Sequence, residues 1–103
     1  MNLTVQREIE THGAEIAEIC SRLGVRRLEL FGSAVRGGSP HDLDFLVDFG
    51  ERAPKEYAAA YFALREGLEK LFLRPVDLVT PAGLENPYFR QRVEQEKTLL
   101  YAA

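Results

Sequence analysis

Tryptophan is absent from this chain of 103 residues, which holds one cysteine, one methionine and two histidines. A single cysteine excludes an internal disulfide and fits a reducing compartment. His12 and His41 have no cysteine or second histidine at ligand spacing, so a zinc-type cluster is not expected, and neither is a serine–histidine–acid arrangement or a Walker-type phosphate loop. His12 reads as a solvated helix residue and His41 as a loop residue bordering the segment discussed below. No run approaches the ~20 apolar residues of a membrane span, and Met1-Asn2-Leu3-Thr4 has no signal-peptide pattern, so a cytoplasmic protein without membrane contact is expected. An excess of positive charge is missing too. Thirteen Lys and Arg face sixteen Asp and Glu, for a net charge of −3. An extended nucleic-acid grip needs a basic face and is therefore not expected. Arg26, Arg27, Arg90 and Arg92 form pairs too small for one and read as solvated faces or partner contacts.

With 46% hydrophobic and 28% charged residues, the composition is that of an ordinary globular protein. The length predicts one domain over 1–103. Val5, Ile9, Ile16, Cys20 and Leu23 recur at helical spacing over 3–23, and Gly24 ends the run; Cys20 is a core residue on that stripe. A short strand over 27–31 leads to a helical turn over 33–37 and a Gly37-Gly38-Ser39-Pro40 loop, whose glycines predict a loosely held segment. A central strand over 42–49 follows, with Phe45-Leu46-Val47 suited to burial on both faces. Tyr57, Tyr61, Leu64, Leu68 and Leu71 line a long helix over 55–72. A third strand spans 76–79. Asn86-Pro87 then caps a last helix running to about Tyr101, with Phe89, Val93 and Leu100 facing inward. The predicted order is α-β-α-β-α-β-α. The first two strands are joined too closely for a parallel crossover and are antiparallel, while the long helix permits one between the second and third. An α/β (α+β) fold with a mixed three-stranded sheet flanked by helices results.

Residues 31–49 carry the chemistry. Asp42 and Asp44 lie two apart on a strand, hence on the same face, roughly 7 Å apart. Paired carboxylates opening an apolar strand suit divalent metal better than a core. Gly32 and Ser33 offer a closely approachable backbone, N–H groups and a hydroxyl, as a phosphate needs. Taken singly, Asp42 is a turn or strand-end residue, Asp77 a polar residue on an edge strand, and Arg36 an ordinary surface cation; their combination points to nucleotide chemistry. Asp48, in phase but further along, reads as a strand-end or loop-bonding residue.

Gly32-Ser33, a spacer and Asp42-Leu43-Asp44 resemble the signature of the polymerase-β-like nucleotidyltransferases, and within them the minimal nucleotidyltransferases (MNT), small proteins paired with HEPN-type partners. The resemblance extends over almost the whole chain, including Val76-Asp77-Leu78-Val79-Thr80-Pro81. It implies the polymerase-β-like fold. It also implies that Gly32, Ser33 and Arg36 contact the triphosphate and that Asp42, Asp44 and Asp77 are the catalytic, metal-binding carboxylates. Two Mg²⁺ ions would be held there, with ATP as the nucleotide donor. One departure is visible: eight residues separate Ser33 from Asp42, a shorter spacer than the minimal members usually have, and His41 stands where a serine is common.

The expected activity is Mg²⁺-dependent transfer of a nucleoside monophosphate, AMP from ATP, to a hydroxyl. With little chain outside the core, the acceptor must come from elsewhere. The resemblance implies a tyrosine of a HEPN-type toxin, with this chain as the antitoxin. Two alternatives stay open: a non-catalytic, nucleotide-binding antitoxin module acting by contact, and a homodimeric small-molecule nucleotidyltransferase.

Overall fold

A computed structural model describes residues 1–103. The helices are α1 (Leu3–Thr11), α2 (Gly13–Arg22), α3 (Ser33–Arg36), α4 (Pro54–Phe72) and α5 (Pro87–Glu96), with a 3-10 turn at Pro81–Leu84. The strands are β1 (Arg27–Phe31), β2 (Leu43–Asp48), β3 (Val76–Val79) and β4 (Thr98–Ala102). They form one mixed sheet in the order β3-β2-β1-β4. β1 and β2 are antiparallel and β2 and β3 parallel, the relations that the connection lengths predict. No helix is long and apolar enough to cross a membrane.

Two elements differ from the expected order. The helix predicted over 3–23 breaks at His12, whose N–H closes α1 on the Glu8 carbonyl while its own carbonyl accepts from Ile16 to start α2. Val5 of α1 and Ile16, Ile19 and Cys20 of α2 are all buried, so the apolar period runs through the break and hides it. His12 is only partly solvated: its ring lies edge-on to Phe72, with centroids 6.2 Å apart, and Nδ1 is 2.9 Å from Glu15.

The last helix stops at Glu96 rather than near Tyr101, because Lys97 leaves helical geometry (φ −56°, ψ 134°). Residues 98–102 instead pair antiparallel with β1, Leu30 opposite Thr98 and Leu28 opposite Tyr101. The three-stranded sheet is thus corrected to four strands. Leu28 and Leu30 are completely buried, so β1 is an interior strand whose second edge needs a hydrogen-bonding partner, and that need overrides the helical pattern of 97–101. The fold class stands as the resemblance implied it.

Alternation along the strands separates two cores. Leu28, Leu30, Leu43, Phe45, Val47, Val76 and Leu78 face α1, α2 and α4, where Leu64, Leu68 and Phe72 meet them. On the opposite face Phe31 and Leu46 pack on Leu84 of the 3-10 turn and Val93 of α5. This second cover is narrow. Asp44 and Asp77, being out of phase with the large core, emerge on that thinly covered face.

Candidate functional site: a carboxylate cleft under α5

Where β1 ends, the backbone turns through Gly32 at φ +85°, a left-handed conformation that side chains resist. A Cβ at Gly32 would run into the Asp44 carboxylate, so only glycine lets this turn lie against that side chain. α3 follows as a single turn closed by Gly37 (φ +96°). The loop expected to be loosely held is tied at its start: Gly38 N–H donates to the Ser33 carbonyl (2.9 Å), and Asn2 Nδ2 donates to the Gly38 carbonyl (2.8 Å). Asn2 is also the N-cap of α1, accepting from Val5 N–H at 3.0 Å, and that capping position was its only sequence signal.

The parallel register sets Asp44 directly opposite Asp77, on strands that lie ~4.8 Å apart. β2 begins at Leu43, one residue after the predicted start at Asp42, which immediately precedes the strand and is exposed. An open cleft of about 150 Å³ lies beside the pair. Gly32, Arg36, Asp44 and Asp77 line it, whereas Ser33 and Asp42 do not. Asp48 bonds the loop, accepting from Gly50 N–H at 2.8 Å. His41 lies outside the cleft.

The other wall comes from α5. Phe89, Arg92 and Glu96, spaced three and four apart, share the helix face turned to the cleft. Phe89 meets Phe31 edge-on, with centroids 5.9 Å apart. Arg92 therefore borders the cleft and is not merely a solvated arginine. Glu96 carried no local sequence signal, yet its Oε2 accepts from Gly32 N–H at 3.0 Å and its Oε1 binds the Arg36 guanidinium. Asn86 positions this helix by capping it, its Oδ1 accepting from Tyr88 N–H (2.9 Å) and Phe89 N–H (3.1 Å).

Charge in the cleft is unbalanced. The Asp44 carboxyl is pushed above its ordinary range, first by burial and then by the charges of Asp77 and Asp42; Arg36 opposes the shift and Glu96 adds to it. A divalent cation would relieve that repulsion. No three carboxylate, imidazole or thiol groups converge as a ready-made cage. The donors present thus suit an ion that takes one or two carboxylates and completes its shell with water and phosphate oxygens, as Mg²⁺ does, and do not suit a closed zinc site.

Comparison with known proteins places the chain in a family. Residues 14–100 match the family model described as nucleotidyltransferase domain. The protein adenylyltransferase MntA of Thermococcus cleftensis is 38% identical over 92 residues, 84% of this chain and 87% of that protein. A solved structure of a candidate minimal nucleotidyltransferase superposes with a TM-score of 0.66 at 33% identity, covering 95% of each chain. The complex of a tri-AMPylated Shewanella oneidensis HEPN toxin with its MNT antitoxin also matches, with a TM-score of 0.63 at 18% identity over 92% of this chain and 73% of that one. At that identity the likeness is one of fold.

Proposed function

This chain belongs to the nucleotidyltransferase domain family, and we propose that it is a protein adenylyltransferase that moves AMP from ATP to a hydroxyl of a HEPN-type partner, a tyrosine, as the antitoxin of the pair. One observation carries the reading. Asp44 and Asp77 stand side by side on the open face of the sheet, against a glycine turn that only a side-chain-free residue can make and beside the Arg36 guanidinium. Carboxylates able to take metal beside donors able to take phosphate support this reading. A relative 38% identical is itself named a protein adenylyltransferase, and the fold is shared with an MNT antitoxin in complex with a HEPN toxin.

In this reading Asp44 and Asp77 of the cleft, with Asp42 just outside it, would hold Mg²⁺, and Gly32 N–H and Arg36, with Ser33 beside them, would receive the phosphates. Bound Mg²⁺ supplies charge neutralisation for the triphosphate and the leaving group. The chain's own part is positional. Gly32 lets phosphate approach the backbone, and Arg36 offers charge-assisted donors to the outer phosphates. Asp77 is exposed, and in this reading an acceptor reaches the α-phosphorus from its side. An oxygen–phosphorus bond forms there, the bond to the β-phosphate oxygen breaks, pyrophosphate leaves with the electron pair, and the acceptor's proton is lost to solvent.

The test incubates the chain with labelled ATP, Mg²⁺ and a HEPN partner encoded beside it. Label should appear on a partner tyrosine. Asp77→Ala should lower transfer by at least a hundredfold while the two proteins still associate. Neutralisation of the partner by the Asp77→Ala protein without nucleotide would instead support a module that acts by contact.

A further inference from the structure

Glu96 already does to Gly32 and Arg36 what a phosphate group would do. One carboxylate oxygen accepts the Gly32 N–H at 3.0 Å while the other engages the Arg36 guanidinium. This is not a casual surface pair, since the Glu96 side chain is only 12% exposed and reaches partners 60 and 64 residues away in sequence. Two oxygens held by a backbone N–H and a guanidinium are the contacts through which proteins bind an anionic, bidentate group. We propose that the Glu96 carboxylate is an internal competitor for the nucleotide's phosphates: it closes the anion cradle in the unliganded chain and is displaced when triphosphate enters. The inference rests on the nucleotide reading of the cleft given above.

Three further observations support displacement rather than joint occupancy. The cleft's 150 Å³ falls short of the roughly 300–1,000 Å³ usual for ligand pockets, and Glu96 is one of the residues that wall it in. Asp44 and Asp77 already crowd the same space with negative charge, and Glu96 adds to the repulsion felt by Asp44. A phosphate beside an unmoved Glu96 would set two anions on one pair of donors. An exit also exists. Arg92 lies one helical turn back on the same face of α5, at the spacing at which opposite charges pair. Lys97 N–H donates to the Val93 carbonyl at 2.8 Å and β4 follows at once, so the backbone is pinned and only the Glu96 side chain needs to swing.

The experiment measures affinity for Mg²⁺·ATP, Mg²⁺·pyrophosphate and adenosine by calorimetry, in wild type, Glu96→Gln and Glu96→Ala, together with melting temperatures. Removing the competitor should tighten ATP and pyrophosphate binding about tenfold, the scale of one charge-assisted contact, and leave adenosine unchanged. The empty variants should melt below wild type, having lost an ion pair, yet gain more than wild type on adding ATP. A purely structural residue would not give those opposite signs. Unchanged or weaker phosphate binding in both variants would overturn the proposal and make Glu96 a support of the cradle. If folded wild type and both variants all fail to bind ATP and pyrophosphate, the nucleotide reading falls and this inference with it. The Ala variant decides should the Gln variant not fold.

Discussion

Asp44 illustrates how a single side chain trades stability for a site. Burial, followed by the charges of Asp77 and Asp42, favours its protonated form in the folded chain. The folded protein therefore keeps this proton to a higher pH than the unfolded chain, whose Asp releases it near pH ~3.9. Where the native state binds more protons, stability falls as pH rises. The loss begins at the unfolded pKa and is complete above the folded one. Asp44→Asn removes the charge with little change of shape. In protein stripped of metal with EDTA, this variant should melt above wild type at pH 7, and the gap should close below the unfolded pKa. Equal melting temperatures at both pH values would mean that the repulsion is relieved by solvent.

At the scale of elements, α5 is the piece on which the cleft depends. Ten residues long and with only Val93 fully buried, it has little apolar surface to hold it in place. Its N-cap therefore matters more than in α4, which presents Ala60, Leu64, Leu68 and Phe72 to the main core. Asn86→Ala should cost about 1 kcal/mol, or roughly 4–8 °C in melting temperature for a domain of this size. Asn86→Asp, which keeps an acceptor for Tyr88 and Phe89 N–H, should cost much less. Equal losses in the two variants would assign the effect to something other than capping. The same helix delivers Phe89, Arg92 and Glu96, so a frayed start would loosen one wall of the cleft as well.

The molecule as a whole is built on one large core that encloses Cys20 completely. Burial pushes its thiol up to about 12, which leaves almost no thiolate at neutral pH. Cys20 should thus be inert to iodoacetamide in the native protein and react fully in denaturant. Because Cys20 is buried inside the main core, its labelling rate should climb with urea at the slope of global unfolding measured by circular dichroism. Rapid labelling that ignores urea would reveal a local opening between α2 and the sheet.

Short-range patterns were sufficient for the β1–turn–β2 segment, whereas Asp77 was matched to that chemistry only through the family resemblance and stands beside Asp44 only once β2 and β3 pair. The need for a residue without a side chain at position 32 appears only where that turn lies against Asp44, whereas strand alternation settles that Asp42 and Asp44 share a face. Asn86-Pro87 announced its helix for an equally local reason. Residues 97–101 did not reveal themselves, since Lys-Thr-Leu-Leu-Tyr suits a helix end as well as a strand. What selected the strand was the free edge of β1, some seventy residues away. The break at His12 was hidden because both halves of the helix bury the same stripe. Glu96 and Arg92 entered the cleft by packing alone: a charged residue on an amphipathic helix reads as solvated until the fold brings a glycine turn and a guanidinium to its carboxylate. Local geometry is written in neighbouring residues, whereas edges, cavities and long-range ion pairs exist only once distant segments meet.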